Sequence, residues 1–124
     1  MNIGINFYNN YYGTIIHGIN HVFEWYHPNI ISCINNIEYR GAYNLLIALV
    51  KLGIEKYEYK NMNLNVQILN DTHILLNFNG LTKVIKYGYN DNNEWVIFNE
   101  IFVLEHIGNS KYIIKNHIYN NSSL

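Results

Sequence analysis

Beyond Gly53 the chain shows no helical period, and this strand-only half limits the fold more than any other feature. Lys56 to Leu69 alternates, with Tyr57, Tyr59, Val66 and Ile68 marking faces. Asn70-Asp71 signals a turn. His73 to Leu81 follows with Ile74, Leu76 and Phe78 on one face, and Gly80 marks a bulge. Gly88 to Asn93 is turn-rich, Trp95 to His106 reads as a long strand, Gly108-Asn109 as a tight turn, and Lys111 to Tyr119 as the closing strand. A run of antiparallel strands cannot bury both faces, so whatever precedes Gly53 must cover one of them.

The first half has the periodicity for that task. Phe7 to Ile19 places Tyr8, Tyr11, Tyr12, Ile15 and Ile19 on one helical stripe. Gly18 and Asn20 break it. Ile19, Val22, Phe23 and Tyr26 then predict a second short helix, stopped by Pro28. Ile30 to Ile37 reads as a strand leading through Glu38-Tyr39-Arg40 to Gly41. From there Ala42, Leu45, Leu46, Leu49 and Leu52 share one helix face, closed by Gly53 at the C-cap. The predicted class is α+β, in the order α-α-β-α-β-β-β-β. A length of 124 residues, 49% of them apolar or Tyr, fits one domain over 1–124 with its core at about 7–119.

Composition excludes several partners. The net charge is -1, Arg40 is the one arginine, and the lysines are scattered, so no phosphate-binding patch is expected and nucleic acid is a poor ligand. Leu45 to Val50 is too short to span a membrane and ends at Lys51. A lone Cys33 and a start without a basic, apolar leader predict a reducing compartment, the cytoplasm. Asn and Ile make up about a third of the residues, the codon signature of an AT-rich genome.

Five strings, in order, resemble nuclear transport factor 2 and its relatives. Phe7-Tyr8-Asn9-Asn10-Tyr11-Tyr12 is similar to the opening Phe with a Tyr-Tyr pair. Tyr26-His27-Pro28-Asn29 is similar to the tyrosine-led turn after the second helix. Tyr39-Arg40-Gly41 is similar to the step into the third helix. Phe98-Asn99-Glu100-Ile101-Phe102-Val103-Leu104 and Tyr112 to Tyr119 are similar to the two closing strands. The resemblance implies a cone, a strongly curved antiparallel sheet packed on three helices. It implies a homodimer through the outer sheet face, a non-enzymatic protein-binding role, and a nuclear or nuclear-envelope location beside the cytoplasmic one. It also implies partners such as Phe-rich peptides and Ran-GDP. Ran carriage is disfavoured here, because Ile34-Asn35 stand where the carrier has Trp-Glu and Asn93 replaces the second of two hairpin acids, leaving Asp91. Tyr8, Phe23, Tyr26 and Tyr119 are the expected rim of a groove for a partner's Phe. Trp95 is the expected exposed aromatic, beside Asp91.

Relatives on the same fold are cavity enzymes, ketosteroid isomerase- or dehydratase-like, or small-ligand binders. That alternative needs a base facing a hydrogen-bond donor. Glu38 as base, Tyr12 as donor and His117 on the last strand are the candidates, and the competing reading packs Tyr12 in the core and leaves Glu38 and His117 solvated. His17 and His21 are four apart with His27 nearby, but the break between them and the lack of a companion Glu predict no metal. Cys33 reads as a small packing residue, not a nucleophile. No cofactor is expected.

Overall fold

The computed structural model describes residues 3–88, 94–109 and 111–122. Its elements are α1 (Ile3–Ile15), a 3₁₀ helix (Ile19–Trp25), β1 (Tyr26–Ile34), β2 (Ile37–Arg40), α2 (Ala42–Lys51), β3 (Ile54–Ile68), β4 (His73–Lys86), β5 (Val96–Gly108) and β6 (Lys111–Asn121). The six strands form one sheet in the order β2-β1-β6-β5-β4-β3, with the helical segments over one face. Among the described residues no helix is long and apolar enough to cross a membrane.

The α+β class and the strand-rich second half hold, and four details differ from the sequence reading. The second helix is a 3₁₀ helix ending at Trp25, so Tyr26 opens a strand. Pro28 does not stop a helix. It lies in β1 where the pairing with β6 shifts between Tyr26 and Ile31, and a bulge tolerates the missing N–H. The single strand expected over Ile30–Ile37 is a hairpin. Ile34 pairs with Ile37 across Asn35 (φ 47°) and Asn36 (φ 71°), the two positive φ values of a primed turn. Finally, β1 runs parallel to β6, so the sheet is only mostly antiparallel. Those two strands lie at opposite ends of the chain and have no hairpin to force the antiparallel sense.

Two glycine readings gain a physical cause. Gly53 (φ 77°) follows α2 as the left-handed cap, its N–H donating to Val50 O at 2.9 Å. Gly80 is flat, and the bulge lies opposite it in β3, where pairing shifts between Lys60 and Asn63 and Asn61 has φ 56°. A Cβ on Gly80 would stand 2.8 Å from Asn61 O, so the bulged backbone occupies the space a side chain would need.

One apolar cluster unites the layers. Tyr11, Tyr12 and Ile15 of α1, Ile19 and Val22, and Leu45 and Leu49 of α2 meet Leu76, Phe78, Phe98, Phe102, Leu104, Ile114 and Tyr119 of the sheet. α1 reaches the β3 edge at Gly4, where a Cβ would come within 2.8 Å of Leu64 and 2.9 Å of Val66. Burial of these rings supplies the dominant stabilisation, about 1.5–3 kcal/mol for each large side chain.

Candidate functional site

Two cross-strand rows of the inner sheet face converge beneath α1. One pairs Leu76 with Phe102, Phe102 with His117 and His117 with Ser32. The next pairs Phe78 with Glu100, Glu100 with Tyr119 and Tyr119 with Ile34. The parallel β1–β6 contact is thus what seats Ser32 beside His117.

The polar members of these rows form one buried chain of hydrogen bonds. Tyr12 Oη donates to Glu100 Oε1 at 2.7 Å. Glu100 Oε2 lies 2.6 Å from His117 Nε2, and His117 Nδ1 lies 2.7 Å from Ser32 Oγ. With the shared proton on Nε2, the Nδ1 lone pair accepts the Ser32 hydroxyl. Glu100 is 2% exposed and Ser32 0%. A carboxylate so far from water needs its partners, and here both oxygens have one. His117 also stacks on Phe102 with ring centroids 5.0 Å apart. Beside this chain the Tyr11 and Tyr26 hydroxyls bond each other at 2.6 Å.

Burial is the main cause that pushes the phenols of Tyr11, Tyr12, Tyr26, Tyr57, Tyr59 and Tyr119 above their ordinary range, and Glu100 adds to the rise at each. Among the described residues the buried Tyr59 hydroxyl has no hydrogen-bond partner. A cavity of about 20 Å³ lies against Glu100, His117, Tyr11, Tyr26 and Phe23. That is room for a single water and far below the several hundred Å³ of an ordinary ligand pocket. The rings of Tyr11, Phe23 and Tyr26 close over this cavity, beside the chain of bonds.

Tyr12 and His117 therefore meet as the enzyme alternative requires, but not over Glu38. Glu38 sits on β2, where Arg40 Nε donates to its Oε2 at 2.9 Å on the exposed edge. The inward carboxylate is Glu100, which sequence reasoning passed over. Its signal was the alternation Phe98-Glu100-Phe102-Leu104, one acid on a face of rings. Ser32 had no comparable signal, because its role depends on which strand lies beside β1.

The expected aromatic rim divides. Tyr8 is 38% exposed and Phe23 half-buried. Tyr26 and Tyr119 are buried, which corrects their placement on a rim: both alternate inward on strands covered by helices. Trp95 is half-buried, flanked by Lys60 Nζ at 4.2 Å and Lys83 Nζ at 5.0 Å from its ring. Asp91 and Asn93 lie outside the described residues. His17 follows α1, His21 lies in the 3₁₀ helix and His27 on β1, where its Nδ1 accepts Asn29 N–H at 3.0 Å. Cys33 is half-buried on the outer sheet face, paired with Ile118.

The outer face has its own pattern. Three adjacent rows across it carry no charge from β3 to β6: Asn63-Asn79-Asn99-Asn120, Asn65-Asn77-Ile101-Ile118 and Gln67-Leu75-Val103-Asn116. Asn99 Nδ2 donates to Asn77 Oδ1 at 2.7 Å, and Asn63 Nδ2 to Asn79 Oδ1 at 3.3 Å. Ion pairs border this band, Lys83–Glu58 at one end and His73–Glu105–Lys115 at the other.

No family model matches the chain, and no curated protein matches it by sequence. Solved structures do. Nuclear transport factor 2 from Cryptosporidium parvum superposes with a TM-score of 0.75 at 18% identity, covering 97% of this chain and 92% of that one. A chain of the C. albicans Mtr2–Mex67 M domain complex does so with a TM-score of 0.77 at 11% identity, covering 97% and 93%. A ketosteroid isomerase-like protein from Parabacteroides distasonis reaches 0.66 at 10% identity, covering 92% and 83%. The same architecture thus serves transport factors and isomerase-like proteins, and identities this low speak for fold alone. Element order, sheet and superposition together show that this chain has the fold of nuclear transport factor 2.

Proposed function

We propose that this domain is a non-enzymatic protein-binding module, a homodimer through its outer sheet face, which docks a Phe-containing segment of a protein partner in the cytoplasm or nucleus. The uncharged band on the outer face carries this reading. An interface core is depleted of charge because an ion buried without a partner costs several kcal/mol, and this face confines its charges to a rim. The complex of the C. albicans structure, Mtr2 with the Mex67 M domain, is consistent with protein partnering on this fold. Tyr8 and Phe23 offer apolar ring surface beside α1 for a partner's Phe. Ran-GDP is not proposed, since Ile34 is buried and Asn35 forms a turn.

The test is sedimentation of the wild type and of an Ile101→Asp/Ile118→Asp variant, with titration of Phe-Gly peptides and Ran-GDP. A wild type that is dimeric at low micromolar concentration, a variant that is monomeric there and saturable peptide binding support the reading. A wild type that stays monomeric, binds no peptide and turns over an enol-forming substrate reverses it. The cavity-enzyme reading draws on one observation, the Tyr12–Glu100–His117–Ser32 chain, because buried ionisable groups cluster at active sites. The cavity of about 20 Å³ beside it weighs the other way.

A further inference from the structure

A second surface lies along the edge of the sheet, where the outer-face rows end at Asn63, Asn65 and Gln67 of β3. Exposed edge strands offer unpaired N–H and C=O groups, and proteins usually blunt them with charge, brevity, proline or bulges. The β2 edge is four residues long and carries the Glu38–Arg40 pair. The first half of β3 carries Glu55, Lys56, Glu58 and Lys60 and ends at the Asn61 bulge. Beyond the bulge these devices stop. From Asn61 to Asn70 there is no charged residue, no proline and no glycine. Among the described residues no strand pairs with this edge, while the opposite edge of the same segment pairs with β4 in unbroken register from Asn63 to Ile68. Ile68 is 80% exposed, the most exposed large apolar side chain described, and Val66 and Leu69 are also exposed.

We propose that Met62–Ile68 is a self-association edge, and that its occupant is the same strand of a second copy, running antiparallel about a two-fold axis at Asn65. The sequence is self-complementary only in an arrangement of this kind. Side chains alternate across a strand, so a centre on a residue keeps like faces together. With the centre at Asn65, Leu64 meets Val66 and Met62 meets Ile68 on one face, while Asn63 meets Gln67 on the other. The apolar row that α1 covers only in part, through Gly4 on Leu64 and Val66, is completed by the partner's row. A parallel pairing about a two-fold axis along the strands would turn the apolar row of one copy against the polar row of the other and lose this match.

Directly opposed residues in such a ladder have Cβ atoms about 4.5–5.5 Å apart, within reach of a short thiol cross-linker. The experiment uses full-length Asn65→Cys on a Cys33→Ser background, cross-linked at high micromolar concentration, with and without Val66→Lys/Ile68→Lys. Ile68 is largely exposed and Val66 lies partly beside Gly4 of α1, so circular dichroism checks that the lysine variant keeps the fold. The expected result is a covalent dimer whose yield falls at least about tenfold with the lysines. No covalent dimer, or an equal yield with and without the lysines, overturns the proposal. Adding Ile101→Asp/Ile118→Asp separates the two surfaces. The edge cross-link persists in that background, whatever becomes of the face dimer, and its loss there would place the contact on the face and refute the edge.

Discussion

Raising pH should unfold this protein through its buried phenols. Tyr11, Tyr12, Tyr26, Tyr57, Tyr59 and Tyr119 all have their ionisation pushed above the ordinary 10.0, first by burial. Below pH 10 both states hold these protons, and stability does not vary from this source. Above it only the unfolded chain releases them, so the unfolded state binds fewer protons and stability falls as pH rises. One unit above an unfolded pKa near 10, each phenol favours unfolding by about 1.4 kcal/mol. Six such groups sum to about 8 kcal/mol, comparable with the whole stability of a small domain, about 5–15 kcal/mol. Unfolding is therefore expected between roughly pH 10.5 and 11.5. The assay follows tyrosinate absorbance near 295 nm and circular dichroism on the same samples. The six phenols should ionise in one steep step that coincides with loss of the dichroic signal. Ionisation of all twelve tyrosines with the dichroic signal intact would refute the burial argument.

Other outcomes follow from the same core. Glu100→Ala strands His117 and the Tyr12 hydroxyl and should cost about 3–5 kcal/mol in denaturant unfolding; a loss under 1 kcal/mol would mean that the chain of bonds contributes little. Phe102→Ala removes a fully buried ring that contacts Phe7, Tyr11 and His117, with an expected loss of about 3–5 kcal/mol measured the same way. Gly80→Ala drives a methyl into the Asn61 and Lys60 carbonyls and should cost about 1–3 kcal/mol, whereas Gly13→Ala, with open space around it, should be neutral or stabilising. Asn35→Val places a β-branched residue at φ 47° and should lower the melting temperature, while Asn36→Gly should not.

Asparagine carries more than a codon bias. Its abundance marks an AT-rich genome, and every described non-glycine residue with positive φ, Asn35, Asn36, Asn61 and Asn109, is an asparagine. Asparagine is one of the few residues besides glycine that visit the left-handed region at modest cost, so the composition also supplies the turns. The outer-face rows of Asn were equally invisible, because Asn63, Asn79, Asn99 and Asn120 come from four strands and become neighbours only through register.

Periodicity along the chain was enough to derive the α+β class, α2 with its Gly53 cap, and four strands after it, since a helix stripe and a strand alternation are local patterns written in adjacent residues. The buried chain from Tyr12 to Ser32 was not legible, because its members are joined across 88 and 85 positions of sequence. Placing Ser32 beside His117 required β1 to lie parallel to β6, and excluding Glu38 required β2 to lie at the sheet edge. Strand order arises from how the whole core packs, and no short window of sequence encodes it.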